Sequence, residues 1–338
     1  MNDFIIASAA GRKSTEWINS EISWGDFTNR LSKPIRTPES FKTYLSMPKS
    51  EQNELKDVGG FVGGKTADGR RKNSSISARS LITLDLDNMK LGDDKQVIDI
   101  VDSSGYTYCI YSTRKHCERN PRLRVIFLLE EEVVSDEYEP LCRAVAEGFG
   151  LMKFADPTTF EVARLMFYPS VSSDSEFLFK CGGSKSLNGG KFLQDFYTDW
   201  RDVSSWPTIP GHEVKRITGL AKQQNPLEKK GIIGAFCRCY DIHQAIAHFL
   251  SDLYSDAGDD RYTYIGGSTY AGAVVYDDVF LYSHHATDPC SGELVNSFDL
   301  VRLHKFSDLD VDSKPDTPVN RLPSYLAMCE LASSDKNV

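Results

Sequence analysis

Leu81-Ile82-Thr83-Leu84-Asp85-Leu86-Asp87 organises everything around it. An apolar, strand-length run closes on two aspartates separated by one leucine. Side chains two apart on a strand share a sheet face, so Asp85 and Asp87 are expected to project together from the strand's C-terminal end. Two adjacent carboxylates repel unless a cation neutralises them. Hard oxygen donors of this kind suit Mg²⁺ or Mn²⁺, with phosphate oxygens completing the shell. The dyad alone also fits a plain turn at Asp87-Asn88 capped by Asp85.

Downstream, the apolar spacing predicts a helix from Asp93 to Asp102, stopped at Gly105, and a second strand from Tyr106 to Ser112. A third strand is expected from Arg122 to Leu129, a helix from Ser135 to Phe149, and a fourth strand from Arg164 to Tyr168. The order β-α-β-β-α-β predicts an α+β fold with a ferredoxin-like or RNA-recognition-motif-like split βαβ core. Four antiparallel strands would carry two helices on one face and leave the other free for a site.

Ahead of this core the first 57 or so residues read as an α-rich part of an N-terminal α/β cap. Thr37 is expected as the N-cap of a helix that presents Phe41, Tyr44 and Leu45. Gly59-Gly60-Phe61-Val62-Gly63-Gly64 is expected to expose backbone amides beside Lys65 and Arg70-Arg71-Lys72. The expected organisation is a catalytic domain over 1–203 (cap 1–75, core 76–182), a linker over 204–232 and a smaller α+β accessory domain over 233–330.

The 338 residues are 40% apolar and 26% charged, which excludes disordered and fibrous classes. No apolar run approaches a membrane span and no signal peptide is evident, so a cytoplasmic protein with no membrane partner is expected. The eight cysteines include no CxxC pair, which suits reduced thiols. The net charge of −9 denies the chain any bulk pull on nucleic acid, so a DNA partner must be held locally. Positive charge is concentrated between Ser112 and Arg124, where Arg114, Lys115, Arg119, Arg122, Arg124 and His116 face one acid, Glu118.

That basic strip lies between the second and third strands, where it can meet the ends of the central ones. Its guanidinium and imidazole groups suit a triphosphate tail; an ordinary charged hairpin is the plain alternative. Asp156-Pro157, with Arg164 eight residues on, supplies a third carboxylate near a strand end. Taken singly it reads as a turn. The conjunction of three acids and a basic histidine loop is the inventory of two-metal phosphoryl transfer.

These motifs resemble those of archaeo-eukaryotic primase-polymerases: a strand ending in acid-x-acid (Leu84 to Asp87), a small-x-His element (Ser112 to His116), and a later acid with an arginine (Asp156 with Arg164-Leu165-Met166-Phe167-Tyr168-Pro169). Asp57 to Gly64, Tyr111 to His116 and Tyr282 to Pro289 are similar, more narrowly, to replication primases of phages, prophages and mobile elements of the virulence-associated-E type.

The resemblance implies a DNA primase-polymerase that joins NTPs or dNTPs on a single-stranded DNA template in a bacterial host, using two Mg²⁺ or Mn²⁺ ions. It implies Asp85, Asp87 and Asp156 as catalytic metal ligands and His116 as a nucleotide contact. Ser112, Arg114, Lys115, Arg122, Arg124 and Arg164 are expected to join the nucleotide site.

The helicase loop GxxxxGK[ST] is absent, so a primase part is expected, with a replicative helicase supplied in trans or by a further C-terminal part. His284, His285 and Cys290 distantly resemble the zinc module of bacterial primases, but most sulfur ligands are missing and zinc is not expected. The alternative function is a catalytically inactive module that binds single-stranded DNA in replication or its regulation.

Overall fold

The computed structural model describes residues 3–211, 224–314 and 317–338. Residues 212–223, the middle of the expected linker, lie outside the described residues. The chain divides into two units, Met1–Thr198 with Pro207–Pro210 and Asp199–Trp206 with Gly211–Val338. Among the described residues no helix is long and apolar enough to cross a membrane.

Unit 1 opens with an antiparallel hairpin, β1 (Phe4–Ala9) and β2 (Ile18–Ile22), followed by α1 (Trp24–Leu31). Then come β3 (Ile35–Thr37), α2 (Phe41–Ser46), α3 (Lys49–Lys56), β4 (Gly60–Val62) and β5 (Gly64–Thr66). The opening stretch is therefore a mixture of strands and helices rather than α-rich. Thr37 ends a strand, and Ser40 caps α2 by accepting from the Thr43 amide.

The glycine run is not an exposed amide loop. Residues 60 to 64 are buried in two strands. A Cβ on Gly60 would sit 2.6 Å from the Met166 carbonyl, and one on Gly64 2.1 Å from that of Ala78. The glycines permit close backbone approach.

The central elements are β6 (Ile76–Leu86), α4 (Asp93–Ser103), β7 (Tyr108–Ser112), β8 (Leu123–Val134) and α5 (Ser135–Gly148). They are followed by β9 (Met166–Phe167), β10 (Ser170–Ser172), β11 (Phe179–Gly182) and α6 (Gly189–Phe196). The main sheet runs β11-β7-β8-β6-β5. Its β6, β8 and β7 reproduce the expected neighbours, with both outer strands antiparallel to β8.

The fourth strand departs from expectation. Met166–Phe167 pairs with Gly60 and Phe61 in a second sheet, β2-β1-β4-β9, because the free edge of β6 is already taken by β5. Nor is one face of the main sheet free. Leu81, Cys109, Tyr111, Ile126 and Leu128 pack with Phe4, Ile6, Phe27, Leu31 and Phe61. Near-continuous burial along β6 follows from cover on both faces.

Unit 2 contains α7 (Ile232–Cys239), α8 (Ile242–Phe249), a five-stranded antiparallel meander and two further helices. Its strands are β12 (Tyr254–Gly258), β13 (Arg261–Tyr264), β14 (Ala273–Tyr276), β15 (Phe280–Ser283) and β16 (Leu294–Asn296). Helices α9 (Ser297–Phe306) and α10 (Pro323–Ser334) close a core centred on Phe236, Ile246, Phe298 and Met328. The two-residue turn Asp259-Asp260 has positive φ at both positions, the geometry that suits a tight hairpin.

Candidate functional site

Antiparallel pairing sets Asp85 of β6 opposite Arg124 of β8, and Arg124 opposite Tyr111 of β7. Asp85 is buried. Its Oδ2 lies 3.0 Å from Arg164 Nη2 and its Oδ1 3.5 Å from Arg124 Nε. Burial opposes the charge, but Arg124, Arg164 and Lys56 outweigh it and hold the carboxyl below its ordinary value.

Asp87 follows the strand end, where its amide donates to the Phe154 carbonyl at 3.1 Å. Its Oδ2 lies 2.5 Å from Arg122 Nη1. Burial and repulsion from Asp85 push this carboxyl upward against the pull of Arg122 and Arg124, with Asp156 adding to the repulsion.

Asp156 reaches the same strand end through the backbone, its amide donating to the Asp85 carbonyl at 2.8 Å. It caps a single helical turn, Pro157–Phe160, by accepting from the Thr158 amide, and Arg164 Nη2 lies 3.6 Å from its Oδ1. The turn reading and the site reading of Asp156 therefore hold together. Thr159 locks the junction, accepting from the Asp85 amide at 2.7 Å and donating to the Thr83 carbonyl at 3.2 Å. Fully buried Arg79 braces the surround, donating to the carbonyls of Gly63 and Val162 at 3.0 and 2.6 Å.

Six of the expected residues thus come together: Asp85, Asp87, Asp156, Arg122, Arg124 and Arg164. Of the remaining four, His116 adjoins the site and the other three are placed otherwise. Ser112 Oγ accepts from the Leu178 amide at 3.0 Å. Arg114 is buried against the Glu39 carboxylate and the Thr37 hydroxyl, donates to the Leu55 carbonyl at 3.1 Å, and lies 4.5 Å over the Tyr44 ring. Its Nη atoms are engaged by the cap, while its buried Nε has no hydrogen-bond partner.

Lys115 occupies the turn that follows β7, partly exposed. His116 Nδ1 accepts from the Arg122 amide at 3.1 Å, and burial lowers its pKa, so the ring adjoins the site in its neutral form.

The arginines that hold Asp85 also line a cavity of about 300 Å³, together with Arg12, Lys56, Arg71 and Glu161. The Nε atoms of Arg12, Arg71, Arg124 and Arg164 are buried without a hydrogen-bond partner. Lys56 lies 4.6 Å over the Phe167 ring, and its pKa falls to about 8 through burial and then repulsion from Arg124 and Arg164, against the attraction of Asp85. Sequence reasoning missed Arg12 and Lys56, which carry no local signal. Arg71 belonged to a basic run that had been noted without a partner.

Asp85 Oδ1 is buried, accepts no hydrogen bond and faces Arg124 Nε only as an ion pair at 3.5 Å, and the three side chains offer only hard oxygens. The residues fit Mg²⁺ or Mn²⁺. Among the described residues, the groups of three ligand atoms gathered within 4.8 Å are Asp288-Cys290-His304 and His243-Asp260-Asp278.

In unit 2 the Asp288 cluster is closed by its own hydrogen bonds. Asp288 Oδ2 accepts from Tyr254 at 2.6 Å and Ser283 at 2.7 Å, while Oδ1 accepts from the Cys290 amide and lies 3.0 Å from His304 Nε2. Burial opposes the Asp288 charge, yet His304 and the hydroxyls hold its carboxyl at about 2. Of the expected zinc candidates, Cys290 belongs to this cluster, while the His285 side chain is engaged elsewhere, its Nδ1 2.6 Å from Thr269 Oγ1.

The fold and side chains of unit 1 define an α+β domain with a carboxylate trio and a guanidinium-lined cavity at one end of an antiparallel sheet. The family model described as the VapE N-terminal domain matches residues 1–209, well over half of the chain, and the chain belongs to that family. Among solved structures, the AEP domain of the cyanophage S-2L primase-polymerase aligns at 10% identity and a TM-score of 0.32, covering 57% of this chain and 88% of that one. No curated protein matches.

Proposed function

We propose that unit 1 is a template-dependent nucleotidyltransferase of the primase-polymerase type, extending a primer or an initiating nucleotide with NTPs or dNTPs during replication of a phage or mobile element. The observation that carries this reading is the convergence of Asp85, Asp87 and Asp156 on one strand end. Membership of the VapE N-terminal family supports it.

Asp85, Asp87 and Asp156 would hold Mg²⁺ or Mn²⁺, which when bound supplies charge neutralisation at the phosphoryl group and a lowered pKa for the attacking hydroxyl. Arg122, Arg124 and Arg164 now neutralise the acids and are positioned to turn toward phosphate oxygens. Neutral His116 beside Arg122 offers one hydrogen-bonding nitrogen to the nucleotide, since Nδ1 is taken. Single-stranded DNA is the macromolecular partner, with a helicase acting alongside.

Incubation with primed and unprimed single-stranded templates, labelled nucleotides and Mg²⁺ or Mn²⁺ tests the reading. Product from the wild-type chain that disappears in Asp85→Asn supports it, and no product under either metal overturns it. The ion pairs that already occupy all three acids favour a second reading, a single-stranded DNA-binding module without catalysis. Metal-independent, salt-sensitive DNA binding with no incorporation would select that one.

A further inference from the structure

Among the described strands, Cys109 and Cys181 are the one pair of cysteines set opposite each other. β11 is the outer strand of the main sheet and pairs with β7, which brings Cys181 against Cys109 and Phe179 against Tyr111. The ladder decides how near the two thiols come. The Ser112 amide donates to the Leu178 carbonyl at 2.9 Å, so by alternation Ser112, Ile110 and Tyr108 direct their backbone groups toward β11. Toward the other neighbour, the Thr113 amide donates to the Arg122 carbonyl at 3.0 Å, so Tyr111 and Cys109 direct theirs toward β8. Cys109 and Cys181 are therefore a pair without mutual hydrogen bonds, the closer of the two antiparallel spacings, with Cα atoms about 4.5 Å apart and side chains on one face. A disulfide spans that separation.

We infer that Cys181 is an oxidation-sensitive modification site and that Cys109 is its resolving partner, the two closing a reversible disulfide that fastens the outer strand to β7. Cys181 is exposed and meets the oxidant, whereas Cys109 is fully buried. Burial pushes the Cys109 thiol upward, with Cys181 adding to the effect, which keeps Cys109 inert until an activated sulfur lies beside it. The oxidant class is a peroxide. Cys181 Sγ attacks the O–O bond, takes one oxygen as a sulfenic acid and releases water. The Cys109 sulfur then attacks Cys181 Sγ, the S–O bond breaks, and a second water leaves with the Cys109 proton. Two electrons pass from the two thiols to one peroxide, and a small dithiol reverses the link by exchange. Two residues along β7 from Cys109, the Tyr111 hydroxyl accepts from Arg124 at 3.2 Å, so the fastened strand also carries a support of the Asp85 site. The inference stands apart from the nucleotidyl-transfer reading.

Its test treats the reduced full chain with hydrogen peroxide, blocks remaining thiols with N-ethylmaleimide, and maps non-reduced tryptic peptides by mass spectrometry. The peptides Gln96–Arg114 and Cys181–Lys185 each contain one cysteine. They are expected as a cross-linked species in most of the protein, separated again by dithiothreitol. Deuterium uptake by the Phe179–Gly182 amides should slow several-fold in the linked form. Cys181→Ser should give no such species and melt within about a degree of the reduced wild type, as suits an exposed position. Cys109→Ala should leave Cys181 as a sulfenic or sulfinic acid after the same treatment.

Recovery of both wild-type peptides as maleimide adducts, Cys181 joined to another cysteine or to a second chain, or a link that forms only after denaturation would overturn the assignment. Unchanged deuterium uptake in the linked form would do the same.

Discussion

Around the unit 1 cavity, four buried guanidinium Nε atoms and one carboxylate oxygen have no hydrogen-bond partner. Around Asp288 in unit 2, an equally buried carboxylate has both oxygens taken by hydroxyls, an amide and an imidazole. Similar chemical groups end in opposite states. In the first set Arg124 Nε and Asp85 Oδ1 face each other only at ion-pair distance, 3.5 Å, whereas the second is joined by short hydrogen bonds within unit 2.

The sharpest way to break this contrast is at Asp85. Asp85→Asn should lower nucleotide incorporation by about 10³-fold or more while leaving the far-ultraviolet dichroism unchanged. In unit 2 the converse is expected: Asp288→Ala should destabilise the protein by about 3 to 5 kcal/mol in urea titrations, because it strands His304 and two hydroxyls in a dry interior.

Lys56→Met sharpens the comparison from the other side. It should hold or raise the melting temperature by a few degrees, since it removes a buried, unpaired charge. A melting temperature that falls would mean that Lys56 serves the fold.

One pH dependence follows, at Asp288. Its carboxyl is depressed to about 2, so its contribution to stability is complete above the unfolded value near 4 and fades as pH falls through 2. Acid unfolding followed by the tyrosine signal of unit 2 should show a smaller pH slope below 4 in Asp288→Asn.

Much of unit 1 is legible along the chain because its signals are local. The run from Leu81 to Leu86, the helix that starts at Asp93 and the Ser135 helix announce themselves by period and by turn residues. Of the acid-x-acid pair, strand geometry places Asp85, while Asp87 lies one residue past the end of β6, where its amide bonds the Phe154 carbonyl. Arg164 to Tyr168 misleads: it has strand composition, but whether it joins the main sheet depends on which edge is free, and β5 had taken that edge. Arg114 misleads in the same way, since a basic strip does not say which of its members will meet Glu39.

By itself, then, the sequence determined the α+β character and the strand that carries Asp85 and stops just before Asp87. Each follows from residues that are neighbours in the chain. Tertiary structure decided that the cap covers the sheet face, that Gly60 and Gly64 serve close packing, and that Arg12, Lys56 and Arg71 meet Arg124 and Arg164 around one cavity. Those contacts join residues far apart in the chain, where only the global competition for buried surface and paired charge selects the partner.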